Sequence, residues 1–167
     1  MKTRVLVVDD DESVRASLKK VLESAGCKVV LAENGQQAVE RFAPGGIDLL
    51  ILDLDMPVKD GWETFENLTR KDPCVPVIIM TGMANQRPIL LAAGVGALFE
   101  KPIEVPVLLD TIKKLLAEPR EQRLRRLCGD LEDTCFVGAS AGLFEGRLRA
   151  RAETPLRICG SSSRGRE

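Results

Sequence analysis

Short aliphatic runs alternate with amphipathic stretches from the start of the chain to about residue 117. In the stretches, apolar residues recur three and four positions apart, the spacing that gathers them on one side of a helix. Val14, Leu18, Val21 and Leu22 do so over 13–25, and Gly26 then stops the helix. Leu108, Ile112, Leu115 and Leu116 do so in a helix opened by Pro106. The aliphatic runs predict strands at 4–8, 28–32, 49–52, 77–80 and 97–99, with further helices at 34–42, near 62–68 and from Pro88. Five such repeats predict an α/β fold, a doubly wound five-stranded parallel sheet with helices on both faces.

Past Pro119 the pattern changes. Residues 118–167 hold ten Arg and no Lys, whereas residues 1–117 hold nine Lys and five Arg. Leu124, Leu127 and Leu131 keep a helical spacing, so 118–134 is expected to form a connector helix after a main domain at 1–117. Residues 135–167, rich in Gly, Ser and Arg, are expected to be a poorly ordered tail.

In an open parallel sheet, ligands bind beyond the carboxyl ends of the strands. The first strand delivers Asp9, Asp10 and Asp11 there, the third Asp53 and Asp55, the fourth Thr81, and the fifth Lys101 with Pro102. The second delivers only Glu33 and Asn34. In the strand order 2-1-3-4-5, the four loaded strands are neighbours and their polar groups share one pocket. Carboxylates gathered within a few ångströms repel one another unless a cation holds them. An all-oxygen set suits a hard divalent ion, Mg²⁺ above softer metals. A hydroxyl and an ammonium across from it would cradle phosphoryl oxygens, with Asp53 as nucleophile. Gly61 reads as a turn residue, and Trp62 and Phe65 as packing.

Composition narrows the partners. A net charge of -1 gives no electrostatic case for nucleic acid. No apolar run approaches the ~20 residues of a spanning helix. The opening MKTRVLVVDDD turns acidic before a signal-peptide core could form, so a cytoplasmic location without membrane contact is expected. Cys27, Cys74, Cys128, Cys135 and Cys159 are odd in number and show no CxxC spacing, which points to reduced thiols rather than disulfides or zinc. Histidine is absent, excluding a histidine base, nucleophile or phosphocarrier in this sequence.

The motifs VLVVDDDESVR at 5–15, LLILDLDMPVKDG at 49–61, VPVIIMTG at 75–82 and FEKP at 99–102 closely resemble the receiver domain of two-component response regulators, a flavodoxin-like fold, over 1–117. The resemblance implies a phosphoprotein of a phosphorelay, in which Asp53 accepts a phosphoryl group from the phosphohistidine of a sensor histidine kinase or phosphotransfer protein. It further implies that Asp10, Asp53 and the main-chain carbonyl of Asp55 bind Mg²⁺, with Asp9 helping through water. Thr81 and Lys101 would contact the phosphate, and the Lys101-Pro102 bond would be cis. Such a domain catalyses only its own phosphorylation and dephosphorylation and is not otherwise an enzyme. A homodimer is implied through the face of the fourth helix, fifth strand and fifth helix; the connector helix offers a second route.

In the family, an aromatic residue three positions before the lysine follows the threonine inward. Leu98 holds that place here, with Phe99 beside it, and the stretch from Thr81 to Lys101 is slightly shorter than usual. The signal to that face is expected to be weak or rerouted, unless a register slip brings Phe99 into the switch place. CFVGASAGLFE at 135–145 and AETPLRICGSSSRGRE at 152–167 resemble the opening of the AAA+ ATPase domain that follows receivers in enhancer-binding activators. Arg166 stands where its phosphate loop needs lysine, so ATP hydrolysis is not expected. No recognised DNA-binding module fits 118–167, so specific DNA binding is not expected either. LILDLDMPV also resembles the DxD nucleophile motif of haloacid dehalogenase-type phosphatases, with Asp53 and Asp55 as its two acids. That alternative lacks the usual Gly-Thr pair, where Met56 and Pro57 stand.

Overall fold

Along the central strands, successive apolar side chains go to opposite layers, and both layers are covered. Val5, Val7, Leu49, Ile51, Ile78, Met80, Ala97 and Phe99 pack on one side, and Leu6, Val8, Leu50, Leu52, Val77, Ile79 and Leu98 on the other. This is why the strands read as unbroken aliphatic runs rather than alternating ones. The computed structural model describes residues 2–56, 61–82, 95–127 and 135–137. In chain order these form β1 (Arg4–Val8), α1 (Glu12–Ser24), β2 (Lys28–Ala32), α2 (Gly35–Arg41), β3 (Leu49–Asp53) and α3 (Gly61–Lys71). There follow β4 (Val77–Thr81), β5 (Ala97–Glu100), α4 (Val105–Ala117), α5 (Arg120–Leu127) and β6 (Cys135–Val137). The helix expected from Pro88 lies outside the described residues, so α4 is the helix that Pro106 was read as opening.

The sheet is parallel throughout, in the order β2-β1-β3-β4-β5-β6. The first five strands keep the order 2-1-3-4-5. Helices α1 and α4 cover one face through Leu18, Leu22, Leu108, Ile112 and Leu115; α2 and α3 cover the other through Ala38, Phe42, Phe65 and Leu68. The sixth strand was not foreseen. Ala97 to Phe99 pair with Cys135 to Val137, a short strand at the point where the tail was expected to begin; 138–167 lie outside the described residues. Three residues carry too little pattern to announce a strand alone; the edge of β5 supplies the hydrogen-bonding partner.

Local chemistry sets the helix ends. Asp11 caps α1, its side chain accepting from the Ser13 and Val14 amides at 2.7 and 3.3 Å. Asn34 caps α2 by accepting from the Gln37 amide at 2.9 Å. Gly26 follows α1 at φ +86°, a conformation glycine adopts without a Cβ penalty. The connector helix is observed over Arg120–Leu127, and 128–134 lie outside the described residues. It is tied to the body: Arg123 donates to the Leu115 carbonyl at 2.9 Å and lies 3.6 Å from Glu118. A cation there satisfies carbonyls that the end of α4 leaves without helical partners.

Candidate functional site

Four strands end side by side, and their exits carry the polar groups. Asp9 follows β1, Asp53 closes β3, Thr81 closes β4 and Lys101 follows β5. The carboxylates of Asp9 and Asp53 are buried, at 0% and 2% exposure, at the mouth of an apolar core. The ammonium of Lys101 joins them, donating to Asp53 Oδ2 at 2.7 Å and to Asp9 Oδ2 at 3.1 Å. Their second oxygens are held by the chain itself. Asp9 Oδ1 accepts from the Asp11 amide at 2.9 Å, and Asp53 Oδ1 from the Asp55 amide at 3.1 Å. The Lys101-Pro102 peptide is cis.

Asp10 is exposed, and one carboxylate oxygen each from Asp9, Asp10 and Asp53 lie within 4.8 Å of one another. Burial, reinforced by the charge of Asp53, pushes the Asp9 carboxyl above its ordinary 3.8, against the opposing pull of the Asp11 amide and Lys101. For Lys101, burial alone would lower the ammonium; its hydrogen bonds and charge contacts to Asp53 and Asp9 outweigh that and raise it. Three carboxylates with one shared cation leave excess negative charge, and their hard oxygen donors fit a small divalent ion.

The residues read as forming the pocket all lie among the described ones, whereas Leu131, Cys128, Cys159 and Arg166 lie outside them. Asp9, Asp10, Asp53 and Lys101 lie together at the strand ends. Thr81 and Asp55 reach each other: the Thr81 hydroxyl lies 3.3 Å from Asp55 Oδ2, and the Gly82 amide donates to the same oxygen at 2.5 Å. Asp11 turns away as the cap of α1. Gly61, read as a turn residue, begins α3 instead, and a Cβ there would sit 2.6 Å from the Asp53 carbonyl oxygen. Trp62 stacks on Phe65 with centroids 5.5 Å apart, as packing. The β4–β5 register pairs Met80 with Phe99 and sends Phe99 into the layer of α1 and α4, so no slip brings it to the place held by Leu98.

Sequence reasoning missed Arg15. Its guanidinium donates to the main-chain carbonyls of Asp9 and Asp10 at 2.7 and 2.8 Å, fixing the acidic loop from the first turn of α1. VLVVDDDESVR contains the residue, but nothing in its spacing says that the side chain folds back. Beside Lys101 lies a mainly apolar groove of about 310 Å³, lined by Ser13, Val14, Leu18, Val21, Pro102 and Ile103 among others.

Residues 5–113 match the family model described as the response regulator receiver domain. The chain belongs to that family. This receiver is 30% identical to the transcriptional regulatory protein ZraR of Salmonella typhimurium over 172 residues, covering 99% of the chain and 39% of ZraR. It is 30% identical to the DNA-binding transcriptional regulator NtrC of Escherichia coli over 173 residues, covering 98% of the chain and 36% of NtrC. The receiver chain thus spans under two fifths of the length of these relatives. Among solved structures, the response regulator TrrA of Thermotoga maritima, in complex with Mg²⁺ and BeF, is similar at 34% identity with a TM-score of 0.63. That match covers 69% of this chain and 99% of TrrA. The receiver match absorbs LILDLDMPV, and the haloacid dehalogenase alternative finds no support. Among the described residues, no helix is long and apolar enough to cross a membrane.

Proposed function

We propose that this receiver accepts a phosphoryl group on Asp53 from the phosphohistidine of a sensor histidine kinase or phosphotransfer protein, in a Mg²⁺-dependent reaction in the cytoplasm. The observation that carries this is the Lys101 bridge, which fixes the buried Asp53 carboxylate at the end of a rigid strand with a cation on its Oδ2. An Asp53 oxygen attacks phosphorus, the bond from phosphorus to the donor's imidazole nitrogen breaks, and the imidazole leaves with that electron pair. Lys101 offsets the charge carried in by the phosphoryl group, and the Asp55 amide keeps the carboxylate oriented. Thr81 contributes its hydroxyl to the phosphoryl oxygens.

Asp10, Asp53 and the main-chain carbonyl of Asp55 would hold the metal, with Asp9 acting through water; the acid cluster supports that set. Bound there, Mg²⁺ would neutralise charge shared between the carboxylates and the incoming phosphate. The groove beside Lys101 gives a partner helix an apolar seat next to the acceptor. Residues 1–117 form the receiver unit and 118–134 a connector. Similarity running along nearly the whole chain supports reading 135–167 as a counterpart of the segment after the receiver in longer regulators. Leu124, 43% exposed on α5, is the apolar position from which two copies would pair.

Incubation with Mg²⁺ and phosphoramidate, followed by intact mass, tests the central step. One added phosphoryl group in the wild type, absent from Asp53→Asn, is the expected result. An unmodified wild type, or an equally modified variant, would overturn it.

A further inference from the structure

The Asp55 carboxylate has no part in the proposed metal set, which uses only its main-chain oxygen, yet its side chain is not idle. It draws in two donors at the exit of β4: the Gly82 amide at 2.5 Å and the Thr81 hydroxyl at 3.3 Å to Oδ2 and 3.5 Å to Oδ1. A carboxylate accepting a main-chain amide makes one of the stronger hydrogen bonds available to a protein. The β3–β4 register pairs Asp53 with Met80, so Thr81 and Gly82 come just past the acceptor on the neighbouring strand. A phosphoryl group on Asp53 presents three oxygens. Lys101 and the Asp55 amide already face the acceptor, and the next donors offered by β4 are the two that Asp55 occupies.

We infer that the Asp55 side chain is an internal competitor of the phosphoryl group: in the resting receiver it holds the Thr81 hydroxyl and the Gly82 amide, and it must let go before they can serve the phosphate. The inference rests on Asp53 being the acceptor. It makes Asp55 a residue that sets the rate of loading by positioning two donors, without itself touching phosphorus. Its charge acts in the same direction, since a carboxylate beside the incoming group repels it. Freed donors and lost repulsion both make Asp55→Ala faster than wild type. Asp55→Asn falls between, because an amide oxygen still accepts from Gly82 but without the charge.

Two measurements test this. In amide NMR without a phosphodonor, the Gly82 proton of the wild type is expected far downfield, moving upfield in Asp55→Ala while amides of β1 and β2 stay in place. A Gly82 shift that ignores the substitution would overturn the resting contact. With saturating Mg²⁺ and phosphoramidate, Asp55→Ala is expected to acquire its adduct on the order of fivefold faster, the value of about one net hydrogen bond. Adducts forming on both proteins at equal rates, or more slowly on the variant, would overturn the competition while leaving Asp53 as acceptor. No adduct on either protein would overturn the acceptor reading and the competition with it. Asp55→Asn, nearly the same shape as the wild type, guards against a folding defect in the alanine variant.

Discussion

Asp9 shows what a buried acid costs its own fold. Its carboxyl is raised by burial, so the folded chain binds its proton more tightly than the unfolded chain does. Stability therefore falls as pH rises past 3.8 and the group is forced to ionise in the core. Asp9→Asn removes that cost and is expected to raise the melting temperature at pH 7 in metal-free buffer, with the gain vanishing below pH 3.8, checked by thermal denaturation. Asp11 has the opposite sign. Hydrogen bonds from the Ser13 hydroxyl and the Ser13 and Val14 amides hold its carboxyl below 3.8, so its contribution is present above that value and lost as pH falls through the lowered one. Asp11→Ala should thus melt below the wild type at pH 7, with the gap closing in acid. These residues were legible in the sequence because the acids stand directly after an aliphatic run, where the strand must leave the core. The turn of the Asp55 carboxylate toward Thr81, and of Arg15 toward the acidic loop, was not: a rotamer is chosen by partners that only the fold assembles.

Among the elements, the central strands were readable because burial on both faces leaves an aliphatic signature, and the half-buried edge strand β2 keeps enough of it in Val29, Val30 and Leu31 to be found. The need for glycine at the α3 start was not, since Gly61 looks like any turn glycine until the Asp53 carbonyl is placed beside it. A methyl group there would sit 2.6 Å from that oxygen and from the Leu54 Cα, backbone atoms that have nowhere to retreat. Gly61→Ala is expected to cost about 1–3 kcal/mol in denaturant titrations and to slow loading of Asp53 by tilting the strand end. Strand β5 carries the other element-scale result. Leu98 is buried in the layer of α2 and α3, and Phe99 in the layer of α1 and α4. A signal that passes from Thr81 through β5 therefore meets an aliphatic side chain rather than a ring. Leu98→Phe should alter the chemical-shift changes that phosphorylation produces beyond β5; an unaltered pattern would show that β5 is not the route.

For the whole molecule, metal and fold are thermodynamically linked. Any ion that binds only the folded acid cluster stabilises the entire chain, by about 2.7 kcal/mol at a hundredfold excess over its dissociation constant. Mg²⁺ is thus expected to raise the melting temperature of the wild type in a concentration-dependent way and that of Asp53→Asn much less. The sheet also has a feature at its far end that bears on behaviour in concentrated solution. Strand β5 has main-chain partners on both flanks, because Cys135–Val137 occupies the side away from β4. A neighbouring molecule seeking to add its own strand there would first have to strip off that short segment. A protein cut before residue 135 is expected to scatter more light on standing than the full chain, since the cut bares a row of unsatisfied amides and carbonyls.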